Sequence, residues 1–267
     1  MALIQGLTEF IPVSSSAHLI LAPLFVASWQ DQGPLIDIAA HLGSLGAVII
    51  YFRRDVRTLV SGAKDFVTVT QSRDRSVFLM LCAATIPIIA LGGILLALDW
   101  IDLLRNPLII GSASLLFGAL LWHSDRNPVN QPNLETPYMS ACFSWKNAVI
   151  IGFAQALAII PGTSRSGITM TAARYLGISR PEAARFSMLL AIPTILIFGA
   201  FAGLDLSSTD HPVQLRDGLI VGLLSLIICY GVIHFFMLMT RKMSFTPFVI
   251  YRMLLGVFLI GWALITQ

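Results

Sequence analysis

Residues 4–19 read Ile-Gln-Gly-Leu-Thr-Glu-Phe-Ile-Pro-Val-Ser-Ser-Ser-Ala-His-Leu. An apolar helix is expected up to the proline, with Gln5 and Glu9 four residues apart and so projecting from one face. Pro12 breaks that helix. Three hydroxyls follow at Ser14, Ser15 and Ser16, and then His18. An acid, nucleophile candidates and a base candidate thus crowd into a stretch that is otherwise apolar. Ionisable groups at membrane depth are costly unless they face a polar cavity, so the run reads as a functional site and not as a plain span. A second stretch answers it. Residues 159–168 read Ile-Ile-Pro-Gly-Thr-Ser-Arg-Ser-Gly-Ile, again an apolar helix, a proline and a hydroxyl cluster, now with Arg165. Aligning Pro12 on Pro161 places Ser15 on Ser164 and Ser16 on Arg165. One loop offers a carboxylate, a histidine and hydroxyls, the other a guanidinium, hydroxyls and two glycines. Together they describe a pocket for a phosphorylated group.

The surrounding chain is built for lipid. Of its 267 residues 56% are hydrophobic and 12% charged, against about 25% charged in a soluble domain. An all-α polytopic membrane protein follows. A net charge of +3, scattered along the chain, gives no case for nucleic acid. Cys82, Cys142 and Cys229 lack metal-type spacing and read as small apolar residues. The first run carries Glu9 and no basic leader, so no cleavable signal peptide is expected; it begins inside a helix, so residues upstream of it are expected.

Read in order, residues 1–33 form a broken helical hairpin, closing with the polar break Ser28–Pro34. Spans are expected at about 35–52, 76–98 and 107–123, each near the length a bilayer needs. Residues 124–145, with Pro128, Pro132 and Pro137, form a linker. A second broken hairpin, 146–182, follows, and then spans at about 183–203, 217–239 and 246–265. Each half, 1–123 and 146–267, is therefore a hairpin plus three spans. The basic connection 53–75 carries Arg53, Arg54, Arg57, Lys64, Arg73 and Arg75. If it is cytoplasmic, 13 of the 17 Lys and Arg residues fall inside and only Arg105 and Arg216 outside, as the positive-inside rule requires. The count closes only if neither hairpin crosses the membrane. Both are then re-entrant, entering from opposite sides, and the halves are inverted repeats. Non-helical backbone at that depth is tolerated where it lines a wet cavity.

At these motifs the chain resembles the undecaprenyl-pyrophosphate phosphatases, the bacitracin-resistance family of bacterial membranes. The likeness rests on Gln5–His18 and Pro161–Gly167, and is supported by His41-Leu-Gly-Ser44 and by Ser244-Phe-Thr-Pro-Phe-Val-Ile-Tyr-Arg252. The resemblance implies an enzyme of the cytoplasmic membrane that removes the terminal phosphate from a C55 polyprenyl diphosphate, recycling the lipid carrier for cell-wall synthesis. It also implies a divalent cation, Mg²⁺ or Ca²⁺, and a site opening to the outer face. The family's first acidic motif is (Glu/Gln)-x-x-x-Glu, and this chain has the Gln form at Gln5, which orients a ligand but adds no charge.

Diphosphate hydrolysis needs an attacking oxygen, a proton acceptor and positive charge on the phosphoryl oxygens. Arg165 suits the last, since its planar fork binds phosphate bidentately; the bland alternative is a structural ion pair with Glu9. Glu9 is the expected cation ligand, as Mg²⁺ is commonly held by one or two carboxylates plus substrate phosphate. Ser15 is the expected nucleophile and His18 its base. Direct attack by His18, or water activated by it while Ser15 binds phosphate, are the alternatives. Gln5, Ser14, Ser16, Gly162, Thr163, Ser164, Ser166 and Gly167 are expected to hold the diphosphate, although helix capping also explains a hydroxyl after proline. Arg252 either reaches the site or snorkels to the surface. His41, His123 and His234 are read as packing or capping spans. The expected partners are the polyprenyl diphosphate, the membrane and a second copy of the chain. The competing class is a carrier of a polyprenyl phosphate, because discontinuous helices meeting at the midplane also mark transporters.

Overall fold

The structure is a computed structural model that describes residues 1–25, 33–129, 144–207 and 215–266. The middle of the expected linker with Cys142 and the break at 28–32 lie outside the described residues. Among those described, the chain is wholly helical. It forms α1 (Ala2–Thr8), α2 (Ser15–Phe25), α3 (Gly33–Tyr51), α4 (Arg53–Val67), α5 (Arg73–Ala97), α6 (Pro107–Asp125), α7 (Trp145–Ala156), α8 (Arg165–Tyr175), α9 (Arg180–Ser207), α10 (Leu215–Thr240) and α11 (Thr246–Thr266).

Five of these, α5, α6, α9, α10 and α11, are long and apolar enough to cross a membrane. A sixth crossing is available through α3, which bends by 95° into α4. The expected spans agree with these helices to within a few residues. The starts are set by side chains. Ser72 accepts a hydrogen bond from the Arg75 N–H, Asn106 from Leu108 ahead of Pro107, and Ser144 from Asn147. Pro87 and Pro193 lie inside α5 and α9, a position that membrane-spanning helices tolerate.

The basic segment 53–75, read from sequence as a connection, instead contains the amphipathic helix α4. Its charges at Arg53, Arg57 and Lys64 share one edge, while Val56, Val60, Ala63 and Val67 recur at helical spacing beside them. Averaging over a window hides that stripe.

Close helix crossings rest on missing side chains. A Cβ on Gly43 of α3 would lie 2.1 Å from the Gly222 carbonyl oxygen of α10, and one on Gly256 of α11 would lie 2.8 Å from that of Gly111 on α6. Small residues let backbones approach in this way within membranes. Further packing joins α1 to α10, α5 to α7 and α9, α3 to α9, and α8 to α6, α7 and α9.

A polar clasp ties three segments at one end. Buried Asp125, ending α6, accepts from Arg180 Nε at 2.6 Å and from the Phe245 N–H at 2.9 Å. Buried Arg174 donates to the carbonyls of Ile178, Asn127 and Asp125. The α6, α8–α9 and α10–α11 connections therefore share one buried ionic centre.

Candidate functional site

The two broken helices meet. Glu9, which caps α1, is 8% exposed. Its Oε1 accepts from Arg165 Nη2 at 2.7 Å, while Oε2 accepts from Gln5 Nε2 at 2.9 Å and from Ser15 Oγ at 2.7 Å. A carboxylate oxygen only accepts, so these contacts fix the serine hydroxyl and the glutamine amide as donors. The helical spacing of Gln5 and Glu9 thus puts both on the inner face, as expected.

Both breaks have the same local build. Ser14 and Ser164 each adopt a left-handed backbone, with φ of 73° and 67°. Each hydroxyl then caps the helix behind it, Ser14 accepting from the Ala17 N–H and Ser164 from the Gly167 N–H. Each also lies 3.2 Å from the hydroxyl two residues on, at Ser16 and Ser166. The geometric match pairs Ser14 with Ser164 and Ser15 with Arg165. Matching the prolines is therefore wrong by one residue, because what the motifs share is the capping serine. In that register Gln5 pairs with Gln155, also fully buried.

The motifs are stitched together. Ser14 Oγ accepts from the Gly162 N–H at 3.2 Å, and Ser166 Oγ donates to the Ile11 carbonyl at 3.0 Å. Gly162 is required twice over. Its φ is +91°, and a Cβ would lie 2.3 Å from the Ile110 carbonyl oxygen. Gly167 makes room for a guanidinium, since its Cβ would lie 2.8 Å from Arg252 Nη1.

Arg252 and Tyr251 join the site from α11. Arg252 does not snorkel: it is fully buried, and its Nη2 donates to the Gly162 and Thr163 carbonyls at 2.9 and 2.8 Å. Tyr251 meets His18. Neither nitrogen of His18 is directed at Ser15; Nδ1 donates to the Ser14 carbonyl at 2.7 Å, and Nε2 lies 2.5 Å from the Tyr251 hydroxyl. The group the structure brings to Ser15 is Glu9. Sequence reasoning passed over Tyr251 as a site residue, although it stands in the run that ends at Arg252. His41 bonds the Asp37 carbonyl, His123 the Tyr175 hydroxyl, and His234 packs near Tyr51.

The arrangement favours an anion. One carboxylate faces Arg165, and a second guanidinium stands behind the turn. Among the described residues, Arg165 Nη1, Arg252 Nε and Nη1, Thr163 Oγ1 and Gln5 Oε1 are buried without a hydrogen-bond partner. Buried polar groups are seldom left so, and most of these are donors suited to phosphoryl oxygens. No group of three His, Cys, Asp or Glu side chains gathers among the described residues. The donors available to a cation are the Glu9 carboxylate and the orphaned Gln5 Oε1, which fits an ion that takes its remaining ligands from a bound phosphate. An apolar groove of about 390 Å³ between α6 and α11, lined by Ala119, Trp122, Val249, Ile250 and Met253, contains no residue of either motif.

Known proteins are similar to this chain over nearly all of its length. A family model described as bacitracin resistance protein BacA matches residues 1–258. A protein of Aliivibrio salmonicida (strain LFI1238) named undecaprenyl-diphosphatase is 44% identical over 271 residues, covering 100% of this chain and 97% of its own. Its namesake in Maricaulis maris (strain MCS10) is 44% identical over 263 residues, covering 97% and 96%.

Proposed function

Because the chain belongs to the bacitracin resistance protein BacA family, we infer that it is an undecaprenyl-diphosphatase. It is a membrane hydrolase that converts undecaprenyl diphosphate to undecaprenyl phosphate and inorganic phosphate, returning the lipid carrier to cell-wall synthesis. The observation that carries the assignment to this site is Ser15 hydrogen-bonded to a carboxylate that is itself paired with Arg165. A carrier needs the guanidinium but has no use for an activated hydroxyl, and the family membership does not favour that reading.

We assign roles as follows. Ser15 Oγ attacks the terminal phosphorus in line with the bridging oxygen, and Glu9 Oε2 receives its proton. The bridging P–O bond breaks, undecaprenyl phosphate departs with the electron pair, and a phosphoserine remains. Arg165 turns its free Nη1 to the phosphoryl oxygens, which gain charge in the transition state. Thr163, Ser164, Ser166 and the backbone around Gly162 and Gly167 orient the diphosphate, with Ser14 and Ser16 doing so from the first loop. The sequence suggested His18 as the partner of Ser15. With Glu9 in that position, His18 is assigned to the second step: once the Tyr251 hydroxyl turns its proton off Nε2, His18 takes a proton from the water that attacks the phosphoserine, and Glu9 returns its proton to Ser15 Oγ as the bond from Oγ to phosphorus breaks. A divalent cation would be held by Glu9 and Gln5, with substrate oxygens; when bound it supplies Lewis-acid polarisation of the phosphate.

The inverted architecture belongs to the same proposal, with halves 1–123 and 146–267 around the 124–145 linker and re-entrant hairpins at 1–33 and 146–182. Exchanging the halves carries the α1–α10 packing onto α7–α5 and α3–α10 onto α9–α5. It also carries α6–α8 onto the apolar contact of Ala17 and Leu21 with Leu259. Three spans per half leave the halves facing opposite ways. The basic bias sets the site open to the outer face of the cytoplasmic membrane.

The test is release of inorganic phosphate from farnesyl diphosphate by purified protein in detergent with added Mg²⁺ or Ca²⁺. Turnover by wild type and its loss in Ser15→Ala with diphosphate binding retained supports the assignment. Binding with no release in wild type favours a carrier.

A further inference from the structure

The His18–Tyr251 contact is a site feature that the roles above leave without a purpose. Its geometry is restrictive. The Ser14 carbonyl can only accept, so the 2.7 Å contact puts a proton on Nδ1 of His18. A neutral imidazole then has its lone pair on Nε2, and the Tyr251 hydroxyl, 2.5 Å away, must donate to it. The two ring planes are parallel to within 10°, with centroids 5.7 Å apart. Both ring nitrogens are thereby tied, one to each half of the chain.

Tyr251 is itself held. Its neighbour Arg252 is anchored to the Gly162 and Thr163 carbonyls, and α11 packs along α6. Consecutive residues of one rigid helix therefore serve the two motifs, Tyr251 the first and Arg252 the second. Once the phenol is removed, the Ser14 carbonyl is the one described hydrogen-bond partner left to fix the orientation of the imidazole. A ring flip about χ2 would lose the Ser14 bond and turn the lone pair away.

We propose that Tyr251 is a positioning residue for the phosphatase reaction: its hydroxyl, acting with the Ser14 carbonyl, holds His18 in the Nδ1–H tautomer, with the basic Nε2 on the more exposed side of the ring. The proposal rests on the phosphatase reading only for its kinetic consequence. Wrong-tautomer histidines lose their ability to accept a proton at the reacting side, and such losses reach several orders of magnitude elsewhere. Here the phenol orients a base that other contacts also hold, so a smaller effect is expected.

The variant is Tyr251→Phe, which removes one half-exposed hydroxyl and keeps the ring. Protein labelled with ¹⁵N-histidine is compared by NMR, the His18 signals being those missing from His18→Gln. Wild type should show the Nδ1–H tautomer alone, and Tyr251→Phe a mixture of tautomers. Turnover of farnesyl diphosphate should fall by about tenfold, with KM changed by less than about twofold. An unchanged His18 tautomer in Tyr251→Phe overturns the proposal, whether or not turnover falls. So does a shifted tautomer with wild-type turnover. Failure of the wild type to release phosphate sinks the phosphatase reading instead and leaves the NMR result standing.

Discussion

Glu9 and Arg165 lie 156 residues apart in the chain and 2.7 Å apart in space, each at a helix end within four residues of a proline. The pair explains why a hydrophobic interior keeps two charges. Each would be prohibitive alone, and together they leave Arg165 Nη1 free for a third partner. Lysine in place of Arg165 keeps the charge and loses the fork. Arg165→Lys should therefore raise the barrier by about 2–4 kcal/mol, seen as a fall in kcat for phosphate release. Near-normal turnover would put Arg165 outside the phosphate site.

The neighbouring serines separate chemistry from architecture. Ser15 Oγ donates to Glu9 and stitches no second segment, whereas Ser14 Oγ accepts from Gly162 across the two motifs. Ser15→Ala should abolish turnover with little change in melting temperature. Ser14→Ala leaves the Gly162 N–H and the start of α2 unsatisfied, and should lower stability by about 1–3 kcal/mol. Thermal melting in detergent, run beside a phosphate-release assay, distinguishes them. The reverse pattern, stability lost in Ser15→Ala and activity alone in Ser14→Ala, would exchange the two roles.

Hydropathy made the spans legible because a bilayer selects for a long apolar run, and a run survives averaging. Proline followed by hydroxyls made both motifs legible for a similar reason, since their composition is hard to place in lipid otherwise. Three features were hidden. The helix at Arg53–Val67 alternates charge with valine, so its identity lies in period and not in average. The pairing of Ser14 with Ser164 depends on backbone φ, which no residue name reports when the residue is not glycine. The roles of Tyr251 and Arg252 depend on which face of α11 meets the motifs, a relation between residues 233 and 90 positions apart.

Gly162 tests the turn itself. Alanine there meets both a φ of +91° and the Ile110 carbonyl 2.3 Å from its Cβ. A left-handed non-glycine residue costs on the order of 1–3 kcal/mol before any clash is added. Gly162→Ala should thus lower the melting temperature and inactivate, because the turn carries Thr163, Ser164 and Arg165. Gly93, where a Cβ would meet nothing within 4 Å, provides the control: Gly93→Ala should be neutral in both measurements.

The ionic clasp around Asp125 should matter to folding and not to chemistry. Its carboxylate serves Arg180 and the Phe245 N–H, next to the buried guanidinium of Arg174. Removing one partner of a buried pair costs about 3–5 kcal/mol because the other charge is left uncompensated. Asp125→Ala should therefore unfold at markedly lower temperature, while protein assayed well below that transition keeps its kcat. A fall in kcat at unchanged stability would connect this end of the bundle to the reaction.

The orientation proposed from the basic bias can be read chemically. The basic helix α4 and its sequel up to Ser72 lie on one side if Arg53, Arg54, Arg57 and Lys64 are cytoplasmic, and the α5–α6 connection then lies on the other. Thr68 and Leu103 are exposed residues on those two connections. In a background with the three native cysteines replaced, Thr68→Cys should be shielded from a membrane-impermeant maleimide in intact cells and labelled only after lysis. Leu103→Cys should be labelled in intact cells. Since Leu103 shares its side with the first hairpin in the inverted arrangement, the opposite pattern would turn the Ser15–His18 loop to enter from the cytoplasm. The site would then face the wrong leaflet for a lipid diphosphate released outside.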